Sequence, residues 1–184
     1  MAAAPRRWAA ELLHFWFHAL TPADWFRPDA AVDAQLRRRF EPDLAMLRSR
    51  PADEFLSDPL TAQAAVLLFD QVPRNLYRGS AQAFAYAPLA SRIPRCALLR
   101  GWDGPLARHE RQFLAMPLMH SEDIADQRLS MAYFARLGQR YGLAFARSHH
   151  RMIARFGRFP HRNALLGRES SMAERRAVEA GYAW

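Results

Sequence analysis

Lysine is absent: all 26 basic side chains are arginine, scattered from Arg6 to Arg176. A nucleic-acid surface commonly gathers its positive charge into one patch or one basic helix. Here Arg37, Arg38 and Arg39 form the only run, and three consecutive helical residues point in different directions. No specific nucleic-acid partner is therefore expected, despite a net charge of +8. Cysteine is nearly absent too. Cys96 stands alone, which excludes an intramolecular disulfide framework and any four-cysteine metal site. Long apolar runs are missing: AAVLLF at 64–69 falls far short of the roughly 20 residues that span a bilayer. MAAAPRRWAAELLHFWF imitates a secretion signal, but Glu11 and His14 interrupt its apolar run and no small-residue cleavage site follows. Glycine-rich phosphate loops, G-x-S-x-G and H-E-x-x-H are all absent. These absences predict a cytoplasmic protein with no membrane partner, no cofactor and no metal.

What is present reads as helix. A hydrophobic content of 51% with 24% charge suits one domain across 1–184 with a substantial core. Trp8, Leu12, Phe15, Trp16 and Ala19 recur at the 3-4 spacing of one helical face. Thr21-Pro22 and Asp58-Pro59 each place a capping side chain before a proline suited to a helix's first position. From Asp29, Val32, Leu36 and Phe40 stack until Pro42. Pro88 and Pro94 should break or kink a helix begun near Ser80. Acidic Glu122 and Asp123 suit the start of a helix running through Phe134 to about Tyr141, with Gly142 at its end. A further helix, 143–156, should stop at Gly157. Ser171 with Glu174 makes a capping box for a last one. No stretch shows period-2 alternation with a hairpin turn. The expected fold class is all-α.

Three stretches set polar residues against apolar surroundings. AVLLFDQVPRNLYRG (65–79) ends an apolar helix in Asp70 and Gln71, then presents Arg74, Asn75 and Arg78 across a proline turn. FLAMPLMHSED (113–123) places His120, Ser121 and Glu122 after an apolar segment. SHHRMIARFGRFPHRN (148–163) puts His149 on the face of Phe145, Met152, Ile153 and Phe156, and continues into Arg158, His161, Arg162 and Asn163.

The same stretches resemble the signature blocks of the bacterial "domain of unknown function 924" family. Its DQ-x-PRN-x-x-RG block stands here as Asp70 to Asn75 with Arg78-Gly79. The PLMHSE block is Pro117 to Glu122, and FGRFPHRN-x-x-LGR is Phe156 to Asn163 with Leu166-Gly167-Arg168. LLHFWF near residue 12 and DWFRPD near 24 fit as well. The resemblance covers nearly the whole chain and implies a tetratricopeptide-like array of antiparallel helices, although no clear 34-residue repeat is visible. It brings no activity, substrate or cofactor. Three departures stand out: Ala87 where the family usually has an aspartate, Ala115 where an aromatic commonly precedes Met-Pro, and an early end to the last helix.

Arginine's planar fork of donors suits carboxylates and phosphates. Arg74, Arg78, Arg158, Arg162 and Arg168 outnumber the nearby Asp70 and Glu122. With Gln71, Asn75, Ser121 and Asn163 orienting it, an anionic small molecule or an acidic peptide tail is the expected ligand. His120 and His161 are the candidate acid/base groups should the protein be an enzyme. The competing reading is a buried clamp, in which arginines pair acids and hold helix ends. His149 reads as a core histidine. Spacing alone leaves site and clamp open.

Overall fold

The computed structural model describes residues 6–138 and 142–182, and every regular element among them is helical. Helix α1 (Arg7–His14) runs into a π-helical turn at Phe15–Ala19. The wider turn shifts the register, so that Leu20 is buried and Ala19 exposed. After α2 (Pro22–Phe26), helix α3 (Ala30–Leu47) starts where the Asp29 carboxylate accepts from the backbone of Ala31 and Val32. It passes through Pro42 instead of stopping there. Leu44 and Leu47 extend the buried stripe of Val32, Leu36 and Phe40 beyond the proline. Burying two leucines contributes about 1.5–3 kcal/mol each, enough to offset the roughly 3 kcal/mol of an interior proline.

The centre of the molecule is α4 (Pro59–Val66). Asp58 caps it by accepting from the Thr61 N–H at 2.9 Å, and every residue from Thr61 to Val66 is buried. A helix that is apolar all round belongs inside a core. It continues through a second π-helical turn, Leu67–Gln71, into α5 (Val72–Leu76). The expected proline turn is therefore helical. Pro73 lies in the first turn of α5, directly after the π-helical turn, and Asp70 and Arg74 come to stand one turn apart.

The helix expected from Ser80 is only a 3-10 turn, Ala81–Phe84. Pro88 then begins α6 (Ala87–Leu99), with Pro94 inside it. There follow α7 (Arg108–His120), α8 (Ile124–Leu137), α9 (Leu143–Phe156) and α10 (Met172–Glu179). Helix α4 packs on α1 and α6, and from α6 to α9 each helix packs on the next in an antiparallel array. Asp123 caps α8 by accepting from the Ala125 N–H, and α8 ends at Gly138 with φ 109°. Its expected continuation to about Tyr141 lies outside the described residues. Gly142, expected to close that helix, instead precedes α9 at φ 128°, with space for a Cβ limited by the Phe134 ring 3.2 Å away. On α9, His149 is buried as expected, whereas Phe145 is exposed because the buried stripe follows Ala146, His149 and Ile153.

Candidate functional site

The site begins at the π-helical turn. Pro73 cannot donate to the carbonyl four residues back, and next to that missing bond the helix widens and turns Asp70 and Gln71 into the core. A buried carboxylate needs partners. Asp70 has three: Gln71 and Arg74 donate to it, Arg74 Nε at 3.2 Å, and His120 Nδ1 lies 2.8 and 2.9 Å from its two oxygens. Burial works against ionising Asp70, yet His120 and Arg74 hold its pKa below the ordinary carboxylate range. An ionised Asp70 only accepts, so Nδ1 of His120 carries the proton. Burial, with Arg74 next, lowers the His120 pKa to about 4 against the pull of Asp70, and the ring is neutral near pH 7. Its Nε2 makes no hydrogen bond to any described residue.

Arg162 arrives from the other end of the chain. Gly157 closes α9 at φ 69°, Phe159 is extended as the residue before a proline should be, and Pro160–Arg162 form a 3-10 turn rather than the extended one expected. Phe159 is fully buried and anchors that turn. The Arg162 guanidinium lies 4.3 Å from the Phe159 ring centroid and 4.6 Å from that of Phe84. Its Nη1 donates to the His120 carbonyl at 3.0 Å, while its Nε has no hydrogen-bond partner among the described residues. Among the described residues no carboxylate reaches within ion-pair distance of it. Burial, then the neighbouring Arg74, lowers its pKa to about 9, so it stays charged at neutral pH although only 3% exposed.

Most of the other expected site residues are framework. Arg168 grips Glu122 with two donors at 2.8 and 2.9 Å, and the Phe159 N–H adds a third bond to the same carboxylate. Arg158 clamps Glu174 at 2.6 Å and the Glu169 carbonyl at 2.9 Å, so it holds α10 instead of facing a ligand. Buried Asn163 also donates towards Glu174 and to Ser170. Arg78 turns away to Asp33 on α3, and Asn75 donates back to the Gln71 carbonyl. His161 is half-buried beside Phe159, its pKa lowered to about 4 chiefly by burial. Gln127, fully buried, donates to the Met119 and Ser121 carbonyls and fixes the α7–α8 connection.

His120, Ser121, Glu122 and Arg162 meet along an open cleft of about 520 Å³. Asp70 stands behind His120 as its support. The cleft is lined as well from α6 and the start of α8, by Ser91, Arg92, Arg95, Asp123 and Asp126. Sequence reasoning missed Arg95 and Asp126. In sequence Asp126 is one more acid in a helix's first turn, and Arg95 one arginine among 26.

The residues that meet here come from the three blocks singled out in the sequence. Residues 12–181 match the pattern of a bacterial family of proteins of unknown function, DUF924. The chain belongs to the DUF924 family. A solved structure of a protein of unknown function from Agrobacterium tumefaciens is similar at 39% identity and a TM-score of 0.87, over 94% of this chain and 97% of that one. Among curated proteins nothing matches. In this DUF924 chain the three blocks supply Asp70, His120 and Arg162 to one cluster, although 92 positions separate the first from the last.

Proposed function

We propose that the protein binds a small anionic molecule in this cleft, with Arg162 as its anchor. One observation carries the reading: Arg162 is buried, charged and without a carboxylate in ion-pair distance among the described residues, and it lines an open cleft. A buried charge left unpaired costs several kcal/mol. An anion arriving from solvent supplies the missing partner. Phe84 and Phe159 hold the guanidinium in place beforehand, so little freedom is lost on binding. The cleft has small-molecule size, which favours such a ligand over an acidic peptide tail.

Melting and calorimetry with phosphate, sulfate and succinate test this on the wild type and on Arg162→Met. The wild type should melt higher with at least one anion. Arg162→Met should lose that response while its anion-free stability stays within about 1–2 kcal/mol. If no anion raises the wild-type melting temperature and Arg162→Met is severely destabilised, the arginine is structural and the reading falls.

The contact between Asp70 and His120 favours a second reading, in which the same cleft is an active site. A carboxylate that fixes the Nδ1–H form leaves a basic lone pair on Nε2, as a general base requires. His161, half-buried, does not line the cleft. A bound ligand consumed by the wild type, and bound but not consumed by His120→Gln, supports catalysis. A ligand recovered unchanged from the wild type leaves a binding protein.

A further inference from the structure

The cleft holds two opposite charges that do not meet. Arg162 has no carboxylate within ion-pair distance among the described residues. In the same cleft, Asp123 and Asp126 share Arg95, whose Nη2 donates to Asp123 at 2.7 Å and whose Nε donates to Asp126 Oδ1. Those three side chains together carry one negative charge in excess. The other charges nearby are matched. Glu122 is held by Arg168, Asp70 by Arg74, and Arg92 reaches out to Asp53 at 3.5 Å from an exposed position.

Asp123 is fully used: its Oδ1 caps α8 through the Ala125 N–H, and its Oδ2 takes Arg95. Asp126 is not. It is 1% exposed, and its Oδ2 has no hydrogen-bond partner among the described residues. A buried carboxylate oxygen left without a donor is costly. So is the unpartnered Nε of Arg162, in the same cleft. Had the cleft evolved only to take anions, an excess carboxylate on its wall would repel them. A ligand carrying both signs satisfies both groups at once.

We propose that the ligand is a zwitterion, whose carboxylate or phosphate is taken by Arg162 and whose ammonium is taken by Asp126. This rests on the anion-binding reading and narrows it. Arg95 holds Asp126 in position, and Ser91, whose hydroxyl donates to the Pro88 carbonyl at 3.3 Å, keeps an oxygen able to accept from the same ammonium. Simple dicarboxylates and nucleic-acid phosphates lack the second group and leave Asp126 unsatisfied.

The test compares pairs of probes that differ only in the ammonium, by calorimetry on the purified full chain near neutral pH. Aminoethyl phosphate is set against propyl phosphate. Each ω-amino acid from glycine to 6-aminohexanoate is set against the alkyl acid in which a methyl replaces the ammonium. In at least one pair the zwitterion should bind about tenfold tighter or more. Asp126→Asn should abolish that preference and keep the affinity for the alkyl anion, while Arg162→Met should abolish binding of both. If alkyl anions bind and no pair shows a preference, the zwitterion is wrong and the anion site stands. If nothing in either series binds, both readings fall. The wild-type pairs decide the matter even should Asp126→Asn fail to fold.

Discussion

His120 Nδ1 lies 2.8 Å from Asp70 Oδ1, although 50 positions separate them in sequence. The contact joins the end of α7 to the π-helical turn after α4, and it sets both the charge and the tautomer of the imidazole. Asp70→Asn removes the carboxylate that His120 and Arg74 share. Chemical denaturation should show a loss of about 3–5 kcal/mol. Nitrogen NMR should show His120 in the Nδ1–H form in the wild type and a mixture of forms in the variant. An unchanged tautomer in Asp70→Asn would mean that another group sets it.

Acid should weaken the fold earlier than carboxylates alone would dictate. His120 and His161 have pKa values lowered to about 4 and His149 to about 3, each chiefly by burial, from 6.5. Between about 4 and 6.5 the unfolded chain then binds more protons than the folded one. Stability rises with pH through that window, is complete above it, and is lost as pH falls. Each histidine contributes about 1.4 kcal/mol per pH unit. The lowered pKa values of Asp70, Glu122 and Glu174 add further loss below the carboxylate range. Urea denaturation at a series of pH values checks this, and His149→Phe should flatten the slope. A wild-type stability that does not change across the window would contradict neutral buried histidines.

Arg158→Gln should lower the melting temperature and leave any phosphate response intact. Its guanidinium holds Glu174, which is buried and caps α10. Arg162→Met should do the reverse. Melting both variants with and without phosphate separates the clamp from the anchor. A lost phosphate response in Arg158→Gln, with stability unchanged, would exchange their roles.

Gly157 adopts φ 69° with open space where a Cβ would stand. The penalty of a substitution there is conformational and not steric. Gly157→Ala should cost about 1–2 kcal/mol, and Gly157→Asn less, because asparagine tolerates the left-handed region. Gly157→Val should cost the most and displace Arg162. Equal stabilities for the three variants in denaturant would show that the turn relaxes freely.

By itself the sequence determined the helical class, the caps and the stops. Asp58 before Pro59, Ser171 with Glu174 and Gly157 after Phe156 act over one turn of chain, so their chemistry is local and legible. The three polar blocks were legible too, as charge set against apolar surroundings. Only the tertiary structure decided which arginine is a clamp and which faces a cleft. Arg158 and Arg162 are four residues apart in one block. One meets Glu174 and the other meets the His120 carbonyl, because their partners come from segments whose approach depends on how α7 to α10 pack. Pro42 and Pro73 were misjudged for a related reason. A proline's local cost is visible in sequence, whereas the apolar burial that outweighs it exists only once the helices meet. Asp126 was invisible on the same ground. Nothing in its neighbours marks an oxygen without a donor, since that is a property of the packed wall around it.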